Sequence, residues 1–235
     1  MSSGFVGYLW DGLLITLQLT VYGAALGLVF AFAAGLARLS GNKVLRGIAF
    51  LYTEIFRGFP ALILLFWLIF VIPAFGFQFD PLFAGTLALA LNIGAYAAEV
   101  VRGAVQSVPK GQTEAAIALN FTPAQRMRKV ILPQAIVAMI PPFSNNLIEL
   151  LKATALVSIV YLSDLTFAGQ LIRASTGETT TVFLGLLVGY GVIALIFTAL
   201  MRWLERIAAR KLGRQVPPGA IGRIFNRRSA EPQGV

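Results

Sequence analysis

The sequence predicts an all-α protein that crosses a membrane about five times and carries one long helical loop between spans. Three observations point to that class. Hydrophobic residues make up 57% of the 235 positions and charged residues only 12%, which fits no ordinary soluble core. Charge-free apolar runs recur at 12–37, 58–79, 81–98, 130–148 and 179–201, and about 30 Å of hydrocarbon takes roughly 20 such residues to cross. The basic residues also alternate from loop to loop. Arg38, Lys43, Arg46 and Arg57 follow the first span, Arg102, Lys110, Arg126, Arg128 and Lys129 the third, and Arg202 with seven others the fifth. The N-terminal tail and the loop after the second span carry none, and the loop after the fourth has only Arg173. Lys and Arg accumulate on the cytoplasmic side, so the N-terminus is expected outside and the C-terminus inside. A net charge of +9 therefore reads as topology rather than as nucleic-acid binding.

Each element follows from its residues. The first span is rich in Leu, Ala and Val, with Gly23, Gly27 and Gly35 offering faces for close helix contact, since small residues let helices pack where lipid is as apolar as Leu. Its length and the absence of Lys or Arg before it argue for a retained anchor over a cleaved leader. Residues 42–58 alternate charged and apolar at helical spacing, as an amphipathic segment at the inner interface would, running into the second span at Pro60. The third span places Asn92, Tyr96 and Glu99 on one face directed into protein, with Arg102 three residues on to pair with Glu99. The fourth is expected to begin after Pro133 and to be interrupted at Pro141 and Pro142, with Asn145, Glu149 and Lys152 on one face. Residues 163–180 read as an outer loop. The expected domain is 1–215, with a basic tail over 216–235 that is too polar to order and rests against anionic lipid.

Residues 107–133 form the one long inter-span stretch with helical periodicity and too little apolarity to cross. They read as two short helices lying at the inner surface. One runs through Glu114-Ala115-Ala116 to about Leu119; after a break at Asn120 a second starts with Thr122 as N-cap, Pro123 next and Gln125 completing a capping box. With no cysteine and no histidine in the chain, classical catalysis and a metal centre have little to work with.

Here the sequence resembles the inner-membrane permeases of binding-protein-dependent ABC importers, and within them the polar amino acid group. The family's loop pattern is Glu-Ala-Ala, three residues, Gly, nine residues, Ile, one residue, Leu-Pro; this chain has Glu114-Ala115-Ala116, Asn120, Val130 and Leu132-Pro133 at the same spacing. The segments YTEIFRGFP (52–60) and GAYAAEVVRGAVQSVPKGQTEAA (94–116) resemble the group's own signatures. The resemblance implies a type I importer permease fold whose loop 107–133 couples to a separate ATP-binding subunit. In that role Ala115 and Ala116 permit close approach, Glu114 accepts hydrogen bonds from the loop or the partner, and Arg126 and Arg128 donate. Asn120 stands where Gly is usual, and both tolerate the left-handed backbone that a turn between helices needs.

The resemblance further implies a second permease chain, identical or not, and an extracytoplasmic solute-binding protein, with ATP and Mg held by the ATPase. No cofactor is expected in this chain, which lacks a phosphate-binding Gly-x-x-x-x-Gly-Lys-Ser/Thr loop. Glu149 and Lys152, with Asn145, Asn146 and Asn92, are candidates to line the path of a small zwitterion; a structural ion pair is the alternative. The stretches 114–143 and 147–167 look nearest to permeases assigned to ectoine and hydroxyectoine, and Ala153-Thr154-Ala155 replaces the group's usual Asp-Thr-Ser after Lys152. Import of a polar amino acid is the alternative reading. An ion-coupled secondary transporter would instead use the intramembrane Glu149 and Lys152, and a non-transporting scaffold would use only the loop.

Overall fold

The computed structural model describes residues 2–211, and every described element is helical. The expected tail over 216–235, and the end of the domain assigned to 1–215, lie outside the described residues. Among the described residues, four helices are long and apolar enough to cross a bilayer: Phe5–Ala37, Pro81–Gln106, Pro123–Val160 and Thr179–Arg210. A bent pair, Lys43–Gly58 with Ala61–Phe75, which turns by 102° at the break, makes a fifth if the two are counted as one span.

Helix α1 (Ser2–Ala37) lies along α4 (Pro81–Gln106). Two glycines set how closely they approach. A Cβ on Gly35 would sit 2.7 Å from the Ala98 carbonyl oxygen, and one on Gly94 would sit 2.9 Å from Phe30 Cβ and 3.0 Å from the Gly27 carbonyl oxygen. Without a hydrophobic drive between helices in lipid, this backbone contact provides much of the attraction. Two of the hydroxyls buried in the spans are satisfied locally, Thr20 donating to the Thr16 carbonyl at 2.8 Å and Thr154 to the Leu151 carbonyl at 2.7 Å, as a low-dielectric surrounding requires, whereas the buried Thr86 hydroxyl on α4 has no partner among the described residues.

Amphipathic α2 (Lys43–Gly58) forms where the charge alternation placed it, with Asn42 accepting from the Val44 and Leu45 N–H groups. Val44, Ile48 and Leu51 are exposed on one side of it, while Ala49 and Thr53 are buried against the bundle. The chain then breaks at Phe59-Pro60, because Pro holds the residue before it in an extended conformation. Helix α3 (Ala61–Phe66) continues through a π turn (Trp67–Val71) and a 3-10 turn (Ile72–Phe75) to Gly76, whose φ of 88° ends it. The second span is thus shorter than the expected 58–79.

The fourth span departs from expectation at both ends. Instead of starting after Pro133, it is continuous from α6 (Pro123–Arg126) through a π turn (Met127–Ile131) into α7 (Leu132–Thr154) and a 3-10 turn (Ala155–Val160). The irregularity lies at the π turn, not at Pro141 and Pro142, which sit inside α7 without ending it. The ring of a helical proline crowds the carbonyl four residues earlier; for Pro133 that is Lys129, inside the π turn that makes room. Around Pro141 and Pro142, packing of the fully buried Ala135 and Met139 in a cluster with Ala31 and Val101 keeps the helix intact.

The expected outer loop at 163–180 also contains a helix, α8 (Leu165–Thr176), capped by Asp164 and closed by Gly177 at φ 75°. Asp164 is fully buried. Its carboxylate accepts from the Phe167 N–H at 2.9 Å, the Thr166 N–H at 3.2 Å and the Tyr190 hydroxyl at 3.0 Å, and the neighbouring Leu165 N–H donates to Thr16 on α1 at 3.1 Å. This knot ties α1, α8 and α9 (Thr179–Lys211) together. The sequence carries a signal for it, since an Asp directly before an apolar periodic run is an N-cap signature. Elsewhere α9 is the least covered span, with Leu187 and Leu195 about 70% exposed.

Candidate functional site

Two features converge chemistry: the hairpin at 107–133 and a polar cavity between α4 and α7.

The hairpin is built by its caps. Helix α5 (Lys110–Ala118) ends in a turn in which the Phe121 N–H donates to the Ala116 carbonyl at 3.0 Å and the Asn120 N–H to the Ile117 carbonyl at 2.8 Å. This paired closure requires a left-handed backbone at the first of the two donors, and Asn120 supplies it at φ 57°. Two residues later Thr122 and Gln125 complete the reciprocal capping box, 3.3 Å and 2.9 Å, that starts α6. Gln134 donates to Gln112 at 3.1 Å, fastening α5 to the base of α7. The hairpin therefore has a defined shape, as its caps predict, but its second helix runs on into a membrane span where the sequence predicts a short separate helix at the surface.

Its side chains divide into inward and outward sets. Ala116 is buried in the hairpin itself at 3% exposure, which leaves Ala115 as the exposed one of the two alanines. Glu114 is exposed and forms no ion pair among the described residues. Arg128 is exposed and Arg126 half-buried, while Lys129 sits 5.8 Å over the Phe121 ring. Beside them Ile117 and Leu119 are 53% and 68% exposed. These two exposed aliphatic residues were not singled out from the sequence, although two large aliphatic residues on an exposed helix of a polar loop were a visible signal.

The cavity has a volume of about 330 Å³ and is lined by Asn92, Tyr96, Asn146, Glu149 and Ala153 among others. It brings together three of the five candidate path residues. Asn145 is exposed outside it, and Lys152 meets it only through its 3.0 Å ion pair with Glu149. Asn92 also braces the neighbouring helix end. Its amide donates to the Phe56 and Phe59 carbonyls at 2.8 and 3.3 Å, as the Tyr96 hydroxyl does to Arg57 at 3.2 Å. These are carbonyls left free at the end of α2, so the polar face of α4 holds the α2–α3 bend. By contrast, the buried amide nitrogen of Asn146 has no hydrogen-bond partner, a cost of about 1–3 kcal/mol unless a ligand or water accepts from it.

The expected Glu99–Arg102 pair is present, with Arg102 Nη2 2.7 Å from Oε2, and a second cation joins it. Arg38, one residue past α1, places Nη1 2.7 Å from Glu99 Oε1, off the hydrogen-bonding direction, and donates to Thr53. One carboxylate thus draws together the ends of α1 and α4 and the middle of α2.

Comparison with known proteins matches residues 23–212 to the family described as binding-protein-dependent transport system inner membrane component. A probable amino-acid ABC transporter permease of Sinorhizobium fredii is 45% identical over 89% of this chain and 90% of its own length. The L-cystine transport system permease of Bacillus subtilis is 33% identical (88% of each chain), and the glutamine transport system permease of Escherichia coli is 36% identical (83% of this chain, 90% of that one). Among solved structures, a crystal structure of an amino acid ABC transporter with histidines superposes with a TM-score of 0.81 at 34% identity, covering 87% of this chain and 96% of that one. A methionine ABC transporter in an inward-facing conformation gives 0.76 at 26% identity (88% and 99%).

Proposed function

Given that the chain belongs to the family of binding-protein-dependent transport system inner membrane components, we propose that it is the permease subunit of an importer for a polar amino acid, moved by a separate ATP-binding subunit that grips the hairpin at 107–133. No bond is broken in this chain: members of the family are transport subunits, and hydrolysis belongs to their ATPase. The reading places the N-terminus outside and the C-terminus in the cytoplasm of a bacterial inner membrane, in line with the alternation of basic loops. A second permease chain, a solute-binding protein, and ATP and Mg in the ATPase complete the proposed assembly.

The observation that carries the solute path is the unpartnered amide of Asn146 in the cavity it shares with Glu149. A zwitterion supplies what that cavity lacks: its carboxylate accepts from Asn146, and its ammonium group meets Glu149, whose charge is shared with Lys152 at 3.0 Å. On the hairpin, Ala115, Ile117 and Leu119 supply contact area and Glu114, Arg126 and Arg128 supply charge-assisted bonds, while Asn120 sets the angle. Because the capped hairpin continues into α7, a push on it reaches Asn146 and Glu149 along one helix.

The amino acid reading is better supported than the ectoine reading, since the relatives described above are amino-acid, cystine and glutamine permeases. One feature keeps ectoine as the second reading: Ala153, on the cavity wall where the group usually has Asp, takes a carboxylate out of the lining. Uptake by proteoliposomes containing the full complex, offered labelled polar amino acids and labelled ectoine in parallel, tests both. ATP-dependent amino acid uptake, lost in Asn146→Leu and uncoupled from hydrolysis in Glu114→Arg, is the expected result. Uptake that survives ATP depletion, or is unchanged in both variants, overturns the proposal.

A further inference from the structure

At the ends of α1 and α4 lies a second polar cavity, about 320 Å³, that the transport path does not use. Arg38, Lys43, Arg46, Arg102 and Gln106 line it, with Phe50 as its apolar side. The internal accounting of charge leaves it positive. Glu99 alone serves both Arg38 and Arg102, and the half-exposed Glu54 reaches Arg38 only at 3.9 Å. Arg102 also donates to Gln106 at 2.8 Å, and Arg38 stacks 5.0 Å over Phe50. Both guanidiniums are thereby fixed in place. Lys43 and Arg46 have neither an ion-pair partner nor a side-chain hydrogen bond among the described residues. Four cations against two carboxylates leave an excess of two positive charges around a concave space.

Its depth in the bilayer is set by its walls. Arg38 directly follows the span ending at Ala37, and Arg102 and Gln106 lie in the last turns of the span ending at Gln106. The same α2 that contributes Lys43 and Arg46 exposes Val44, Ile48 and Leu51 on another face, suited to acyl chains. The notch therefore sits at headgroup level, with hydrocarbon-compatible surface beside it.

We propose that this notch binds a phosphate oxyanion, held by Lys43 and Arg46 with Arg102 and Arg38 behind them. A guanidinium fork and an ammonium group match the several acceptor oxygens of a phosphate, and Glu99, already shared by two arginines, leaves the two front cations without a counter-charge. The phosphate comes either from an anionic phospholipid headgroup or from soluble inorganic phosphate, and the two sources separate in one experiment.

The delipidated permease–ATPase complex is titrated in detergent with phosphatidylglycerol, with phosphatidylcholine and with inorganic phosphate, reading bound adducts by native mass spectrometry and melting temperature by fluorescence. The comparison is with Lys43→Gln/Arg46→Gln, which disturbs no internal contact and so keeps its unliganded melting temperature. Arg202→Gln/Arg206→Gln, an equal charge loss on exposed α9 positions, controls for net charge. A preference for phosphatidylglycerol over phosphatidylcholine that falls about ten-fold or more in the first variant, and not in the control, establishes the site with a lipid source. Stabilisation by inorganic phosphate lost in the same variant, without a lipid preference, establishes it with the soluble source. Equal binding by parent and variant, or an equal loss in the control, overturns the proposal.

Discussion

Asn120 offers the sharpest test of how the hairpin works. It holds φ 57° where the end of α5 is closed by two bonds, its own N–H donating to the Ile117 carbonyl at 2.8 Å and that of Phe121 to the Ala116 carbonyl at 3.0 Å. The left-handed conformation costs an ordinary residue about 1–2 kcal/mol, and more for a β-branched one. Asn120→Val can keep the turn and bear that strain, or open it and lose two hydrogen bonds worth about 0.5–1.5 kcal/mol each. The two costs are of the same size, about 1–3 kcal/mol, a range that spans the roughly 1.4 kcal/mol of a ten-fold drop in the population of the docking shape. Asn120→Gly removes the strain and restores the residue usual in the family. Titration of the permease in nanodiscs with its ATP-binding subunit is the assay: about ten-fold weaker binding is expected for Asn120→Val, and parental or tighter binding for Asn120→Gly. Parental affinity in Asn120→Val, or a marked loss in Asn120→Gly, would refute a fixed hairpin angle as the basis of docking.

Three further outcomes follow from the packing. Gly35→Ala drives a Cβ to within 2.7 Å of the Ala98 carbonyl oxygen and is expected to cost about 1–3 kcal/mol, whereas Gly47→Ala, whose Cβ meets nothing within 4 Å, is expected to be neutral or stabilising by up to about 1 kcal/mol; thermal unfolding in detergent compares them, and equal melting temperatures would contradict the close α1–α4 contact. Glu99→Gln leaves Arg38, 15% exposed, without its carboxylate; about 2 kcal/mol of destabilisation is expected, below the 3–5 kcal/mol of a fully buried pair, and an unchanged unfolding midpoint would count against the cluster. At Asp164, burial pushes the carboxyl above its ordinary 3.8, opposed by hydrogen bonds from Phe167, Thr166 and Tyr190. The native state then holds the proton where the unfolded chain has released it, so this group's contribution to stability falls as pH rises from 3.8 through the raised value. Subtracting the pH profile of Asp164→Asn from that of the parent isolates the slope, and a difference of opposite sign would show that the hydrogen bonds outweigh burial.

Much of this molecule could be read along the chain because lipid imposes one-dimensional rules: a charge-free run long enough to cross must be a helix, and the residues flanking it must carry their charge in water. The amphipathic 42–58 segment, the Thr122–Gln125 capping box, the left-handed Asn120 and the Glu99–Arg102 pair are likewise local, each decided by residues within a few positions of one another. What failed was non-local. Pro141 and Pro142 looked like a break because their missing N–H groups are visible in sequence, while the packing of Met139 and Ala135 that keeps α7 whole is not. Arg38 lies 61 positions from the carboxylate it shares with Arg102, and Asn92 looked like a free polar group until the end of α2 was found against it. Sequence alone determined that the chain is a bundle of membrane helices with a capped hairpin between spans, since backbone groups must be satisfied within each segment. Only tertiary structure decided which polar residue satisfies its neighbour and which, like Asn146, is left with a hydrogen bond to give, because partners across a bundle are chosen by distance in space rather than along the chain.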